Sequence, residues 1–277
     1  MNVFFENDKV IIKNQPHLSL DLTFDCGQCF RFNKNGDGLW QGVAFGKRLT
    51  GYTQDGDTVL FCKKEEYFSL WEDFFDLKRD YSVIQSSFSH DPNVSHAAEI
   101  GKGIRILKQD KWETLISFII SQNNNIPRIK KIIESMCALL GEPLGNGLYS
   151  FPTPEKICEA GAEGLAPIKA GFRVKYILDA AHRVLSGETD LEYIASLSYE
   201  EAEHELMKIK GVGKKVASCV LLFGYGFLSA FPIDVWVKRV LEKYYDETFD
   251  PLSLGEYAGI AQQYLFYRER YLLSVEN

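Results

Sequence analysis

Leu206-Met-Lys-Ile-Lys-Gly-Val-Gly-Lys-Lys-Val-Ala-Ser-Cys219 decides how this chain is read. Ahead of the turn, Glu200 to Ile209 sets Leu206 and Ile209 among charged residues, the pattern of a short half-buried helix. Gly211-Val212-Gly213 interrupts it, and Val216, Ala217, Val220 and Leu221 resume helical spacing at once. Residues from about 203 to 220 therefore form a helical hairpin. Its Gly-Val-Gly turn opens N–H groups at the start of the second helix to a phosphate, and Lys208, Lys210, Lys214 and Lys215 surround them with positive charge. An ordinary turn with solvated lysines would have the same sequence.

Downstream, an apolar run from Val220 ends in Phe231-Pro-Ile-Asp-Val-Trp236. Asp234 stands where a helix N-cap belongs, ahead of Val235, Trp236, Val237 and Val240. Upstream, Gln109-Asp-Lys-Trp-Glu113 starts a helix with Asp110 as cap and Glu113 in the capping-box position. That helix ends in the polar elbow Ser121-Gln-Asn-Asn-Asn-Ile-Pro-Arg128, with Pro127 in the first turn of the next. Gly171-Phe-Arg173 opens another helix, and Gly255 to Phe266 opens the last.

The first 97 residues have a different texture. Val10-Ile-Ile, Leu18 to Phe24, Phe30-Arg-Phe, Leu39 to Phe45 and Thr58-Val-Leu-Phe read as strands, with turns at Asn35-Gly36, Asp37-Gly38 and Asp55-Gly56. The fold class is α+β: an antiparallel sheet domain with flanking helices over 1–97, then a mostly helical region over 98–277.

Composition bounds the partners. With 277 residues, 45% hydrophobic, the chain has material for a substantial core. No apolar run is long enough to span a membrane, and the start lacks a secretory pattern, so the expectation is a cytoplasmic protein, nucleoid-associated in a bacterium, with a monomer as the default. The net charge of −7 argues against coating nucleic acid. Even so, the basic residues at 169, 173, 175, 183, 208, 210, 214 and 215 allow one local basic face. Six scattered cysteines read as free thiols. Cys26-Gly-Gln-Cys29 lacks the second pair that a zinc site needs and the βαβ pattern of a thioredoxin motif; in it, Gly27 instead suggests close approach of another group.

The hairpin with Lys215, followed by the Pro-x-Asp cap at Asp234, resembles the helix-hairpin-helix–GPD superfamily of DNA base-excision glycosylases. Gly27-Gln-Cys-Phe-Arg31, Trp40-x-Gly42, Ser117 to Arg128, Gly171-Phe-Arg173, Gly211 to Cys219, Ile233-Asp-Val and Tyr257-Ala-Gly-Ile-Ala-Gln262 to Phe266 narrow the resemblance. They look like the eukaryotic-type 8-oxoguanine DNA glycosylase/lyases, in order along nearly the whole chain. The resemblance implies a TBP-like N-terminal domain and an active site between two helical subdomains. It implies Lys215 as amine nucleophile and Asp234 as its carboxylate partner. Gly27, Cys219, Gln262, Phe266 and Phe118 would line the pocket for an extruded base. Asn123, Arg128 and Arg173 would face the opposite cytosine, with Phe172 wedging the stack. Gly211, Val212, Gly213 and Lys214 would grip the DNA backbone. Carbonyls of Met207, Ile209 and Val212 would hold a structural cation, and no cofactor would be required.

Each residue also has a plainer reading. Lys215 could be a phosphate contact with Lys214 as the nucleophile, Asp234 a helix cap, Phe172 and Phe266 core, Cys219 a small hydrophobe, and Gln263 could replace Gln262. The chain departs from the family at Phe172, commonly tyrosine, and at Trp236, where human-type enzymes have histidine. Pro127 also precedes Arg128. No cysteine follows Cys219, which removes the iron–sulfur relatives, and Lys215 disfavours the alkyladenine glycosylases. A non-catalytic DNA-binding module and a thiol oxidoreductase using Cys26 and Cys29 are the readings from other classes.

Overall fold

Strand pairing at the N-terminus builds the platform on which the rest is mounted. The structure, a computed structural model, describes residues 2–275. Among the described residues six strands form one antiparallel sheet in the order β1-β2-β6-β5-β4-β3. β1 (Asn2–Glu6) and β2 (Lys9–Lys13) meet at a turn, and β3 (Phe32–Lys34) pairs with β4 (Trp40–Ala44) across Asn35–Gly38. β5 (Lys47–Gln54) and β6 (Asp57–Leu60) flank the expected Asp55-Gly56 turn. β1 and β5 were not anticipated; β5 buries only Leu49 and Gly51, so little apolar alternation marks it.

Leu18 to Phe24 is corrected from strand to helix. Leu18, Leu20 and Leu22 alternate as a strand would, yet Leu20–Asp25 forms helix α1. Ser19 caps it by accepting from the Leu22 N–H at 3.3 Å, and Leu20, Thr23 and Phe24 share its buried face. Helical spacing of the buried residues prevailed over alternation. Phe24 then stacks on Phe32 of the sheet at 4.0 Å between ring centroids.

Two apolar cores result. The smaller lies between the sheet, α1 and Trp71, Phe74 and Phe75. The larger is built by α2 (Tyr81–Ser87), α3 (Pro92–Ile100), α4 (Lys111–Ser121), α5 (Ile126–Leu140) and α6 (Pro154–Leu165). It continues through α7 (Val174–Ser186), α8 (Tyr199–Met207), α9 (Lys214–Val220), α10 (Val235–Tyr244) and α11 (Ala258–Val275). α2 and α3 supply Tyr81, Ile84, Val94 and Ala97 to this larger core, and α3 packs on α11.

Two buried guanidinium groups tie the cores together. Arg105, 1% exposed, donates to the carbonyls of Phe75, Asp76, Arg79 and His17 at 2.6–3.1 Å. Its guanidinium lies 4.1 Å from the Tyr81 ring centre. Arg31 reaches from the sheet side to the Glu113 carboxylate at 3.4 Å and to the Tyr149 carbonyl. The capping box is corrected here. Asp110 does cap α4, accepting from the Glu113 N–H at 2.8 Å, but the Glu113 side chain turns to Arg31 instead of back to the cap.

Burial pushes the Glu113 carboxyl up from 4.5 to about 7, against the attraction of Arg31. A raised folded-state value favours the folded protein while the group is protonated in both states. That contribution is complete below pH 4.5 and is lost as pH rises through about 7. Wild-type stability from urea unfolding should fall across this window by about 1–3 kcal/mol. Glu113→Gln should flatten the profile; an unchanged slope in the variant contradicts the assignment.

Candidate active site

The hairpin is fixed by what surrounds its glycines. Ser198 and Glu201 form a reciprocal capping box that starts α8. Gly211 takes φ +82°, and a Cβ there would lie 2.4 Å from the Tyr176 ring. Only glycine meets both demands. The Asp179 carboxylate accepts the Lys210 N–H at 2.8 Å and anchors the turn to α7. Val212 plugs the larger core, whereas Gly213 and Lys214 are exposed. Gly213, the N-cap of α9, has no side chain to bond the first N–H groups of that helix. These groups and Lys214 form the outward, solvent-exposed side. Lys215, one residue on, turns inward.

Inward of Lys215 is a cavity of about 410 Å³. Lys215, Asp234, Gly27, Cys219, Gln262, Phe266 and Phe118 all line it. Lys214 does not line it, so the geometry separates the two candidate amines. The Lys215 Nζ lies 5.6 Å from the centre of the Phe118 ring. Phe118 is stacked on Phe223 at 5.4 Å and meets the edge of Phe30 at 5.7 Å, giving that wall an aromatic face. Cys219 is buried; burial pushes its thiol up, with Lys215 opposing.

Asp234 is both cap and wall. Its Oδ1 accepts the N–H groups of Trp236 and Val237, each at 2.9 Å, at the start of α10. Among the described residues no hydrogen bond to Oδ2 is found. A carboxylate held this way has its orientation set by α10 while it lines the same cavity as Lys215.

Gly27 enters the cavity from the opposite side. It has φ +78°, and a Cβ would come within 3.3 Å of both Ile126 Cδ1 and Phe266 Cε1. The close approach read from the sequence is therefore between the 26–28 backbone and the Phe266 ring. Gln262, on α11, donates to the Pro232 carbonyl at 3.1 Å, while its buried Oε1 has no partner. An unpartnered acceptor in a cavity wall is costly unless a donor reaches it.

The elbow between α4 and α5 gives each asparagine its own task. Asn123 takes the left-handed turn at φ 47°, Asn124 donates back to the Ile120 carbonyl at 3.1 Å, and Asn125 caps α5 through the Arg128 N–H at 3.0 Å. Asn123 and Arg128 are exposed, and Phe172 is 49% exposed beside Tyr176. Arg173 differs. It is 2% exposed, and its guanidinium donates to the carbonyls of Gln122, Asn123 and Ala170. In this conformation it braces the elbow. None of these four lines the cavity; they lie together on the elbow side of it.

Gln263, weighed only as a substitute for Gln262, lines the cavity together with it, and Trp236, Arg270, Phe30, Phe223 and Asn124 also line it without having been singled out as pocket residues. Trp236 carried a signal, two residues beyond the cap. Phe30 and Phe223 carried none, because aromatic residues in apolar stretches look alike whether they face core or cavity. Cys26 and Cys29 are free and buried, and burial pushes both thiols up, Cys26 to about 12. A redox pair needs accessible thiolate. Among the described residues there is no group of three potential metal-ligating side chains and no helix long and apolar enough to cross a membrane.

This geometry, an amine at a hairpin helix start, a capping aspartate and an aromatic cavity, defines a base-excision glycosylase fold, and the comparisons agree. Residues 10–115 match the 8-oxoguanine DNA glycosylase N-terminal domain, and residues 116–250 match the HhH-GPD superfamily base excision DNA repair protein. The Arabidopsis thaliana N-glycosylase/DNA lyase OGG1 is 31% identical over 285 residues, 91% of this chain and 77% of the relative. The structure of MBOgg1 with a low affinity DNA ligand superposes with TM-score 0.92 at 42% identity, covering 98% of both chains. The Clostridium acetobutylicum 8-oxoguanine glycosylase/lyase, bound to DNA with cytosine opposite 8-oxoG, gives 0.91 at 39% identity over 99% of both. The chain belongs to the 8-oxoguanine DNA glycosylase/lyase family.

Gly27→Ala should place a methyl group against Phe266 in a left-handed backbone. The expected result is a loss of about 1–2 kcal/mol in stability from the backbone alone, read as a lower unfolding midpoint. Base excision should fall further than strand scission at a preformed abasic site, which has no base to seat.

Proposed function

We propose that this protein excises 8-oxoguanine, preferably opposite cytosine, from double-stranded DNA and then cleaves the strand. The observation that carries the reading is that Lys215, Asp234 and the base-pocket residues share one cavity while Lys214 stays outside it.

The hairpin N–H groups and Lys214 hold the backbone, Phe172 fills the gap in the stack, and the lesion is turned out into the cavity. The cavity offers a thiol at Cys219 and a ring at Phe266 for the two faces of the base, and the Gln262 amide for its Watson–Crick edge. 8-Oxoguanine carries an N7–H where guanine has a lone pair. The Gly27 carbonyl accepts from the first and repels the second, a difference of about 1–3 kcal/mol.

In the chemical step the neutral Lys215 amine attacks C1′. The C1′–N9 bond breaks, its electrons leave with the base, and a proton follows to the departing base. The Asp234 carboxylate stabilises the positive charge that develops on the sugar. Loss of the amine proton and opening of the ring give a Schiff base. Removal of a C2′ proton then expels the 3′ phosphate by β-elimination, and hydrolysis frees Lys215.

Opposite-base reading falls to Asn123 and Arg128, which are exposed on the elbow. Arg173 joins them only by releasing the elbow carbonyls it now binds. The carbonyls of Met207, Ile209 and Val212 are candidates for a structural cation under the hairpin; the chemistry itself calls for no cofactor. A cytoplasmic, nucleoid-associated monomer fits this role.

Borohydride trapping on a duplex with one 8-oxoguanine opposite cytosine tests the reading. Wild type and Lys214→Gln should give a covalent adduct, Lys215→Gln none, and undamaged duplex none with any protein. An adduct from Lys215→Gln would move the nucleophile elsewhere. Absence of both adduct and base release in wild type would favour a DNA-binding module.

A further inference from the structure

Cys26 and Gly27 line the cavity, and of the three consecutive carbonyls of Cys26, Gly27 and Gln28 two are already taken. The Gln263 amide, on α11, donates through Nε2 to the Cys26 carbonyl at 2.5 Å. The Gln109 amide donates through Nε2 to the Gln28 carbonyl at 2.9 Å. The Gln28 side chain is itself locked: its Nε2 donates to the carbonyls of Thr23 and Arg105, and its Oε1 accepts the Leu107 N–H at 2.8 Å. Among the described residues the Gly27 carbonyl between them receives no hydrogen bond. Gln263 is 3% exposed and lines the cavity. Its neighbour Gln262 points instead at the Pro232 carbonyl.

We infer that Gln263 is a positioning residue for lesion recognition: it fixes the Cys26–Gly27 peptide so that the Gly27 carbonyl alone remains to meet the base. Glycine at φ +78° has no side chain to restrain it, so the peptides on either side rotate unless something holds them. The lever is one hydrogen bond from a helix that also carries Gln262 and Phe266, so the acceptor and two pocket walls move as one body. Gln109 supplies the second point of restraint, and its own N–H is bonded to the Phe223 carbonyl at 3.0 Å behind the aromatic wall. Two amide donors from different elements thus spend the flanking acceptors and leave the central one unspent. This inference rests on the reading of Gly27 as the acceptor for N7–H.

The test compares wild type, Gln263→Leu and Gln263→Glu in single-turnover assays on two duplexes, one with 8-oxoguanine and one with a preformed abasic site. Gln263→Leu should excise 8-oxoguanine about 10–100-fold more slowly, the value of one misaligned buried hydrogen bond. Its loss on the abasic duplex should be much smaller, because no base is seated there. Gln263→Glu donates to the Cys26 carbonyl only when its carboxyl is protonated. Its excision rate relative to wild type should therefore rise as pH falls from about 8 to about 6. Equal losses on both duplexes would show that Gln263 merely supports the fold and would overturn the inference. So would unaltered excision by Gln263→Leu, or a Gln263→Glu pH profile parallel to wild type. If wild type itself cleaves the abasic duplex but leaves 8-oxoguanine in place, the reading of the substrate fails, and the inference with it.

Discussion

The constraint on which the site depends is the pair of hydrogen bonds that two N–H groups at the start of α10 donate to one oxygen of Asp234. Two N–H groups at 2.9 Å hold Oδ1, so the helix that the carboxylate caps also sets its orientation in the cavity wall. With its orientation set by the helix, Asp234 lines the same cavity as the lysine at the start of α9. Capping through Oδ1 stabilises the start of α10, and among the described residues it leaves Oδ2 without a hydrogen bond. This is why a residue that looks like a structural cap and a residue that looks catalytic are the same residue.

The rest of the architecture brings two distant backbones to that point. α9 and α10 come from the helical region, whereas Gly27 comes from the end of α1 in the sheet domain. Arg105 and the Arg31–Glu113 pair join the two cores, and Gln28 bonds across to residues 105 and 107. Relative displacement of the cores would change the gap between Gly27 and Phe266, which is narrow enough that a Cβ on residue 27 would come within 3.3 Å of the ring. The buried polar links between cores therefore serve the geometry of the cavity as well as stability.

Much of this was legible in the chain. The Gly-Val-Gly break and the cap at Asp234 follow from local rules, whereas the choice of Lys215 over Lys214 leaned on the family resemblance. The elbow asparagines were legible as a loop, but the separate tasks of Asn123, Asn124 and Asn125 needed coordinates. Leu18 to Phe24 misled because leucines two apart satisfy a strand, and Ser19 as a cap was the only local sign of a helix. Glu113 fitted a capping box until a buried guanidinium from the other domain claimed it. Arg105 and Gln263 were not legible as what they are: their partners are backbone carbonyls, which leave no mark in a sequence.

The most direct measurement is a crystal structure of the Lys215→Gln protein bound to a duplex with 8-oxoguanine opposite cytosine. The account predicts the lesion outside the helix, its faces against Cys219 and Phe266 and its N7 within hydrogen-bond distance of the Gly27 carbonyl, with Asp234 still capping α10. A lesion seated elsewhere, or one whose N7 faces a different group while the Gly27 carbonyl stays unpartnered, would contradict it.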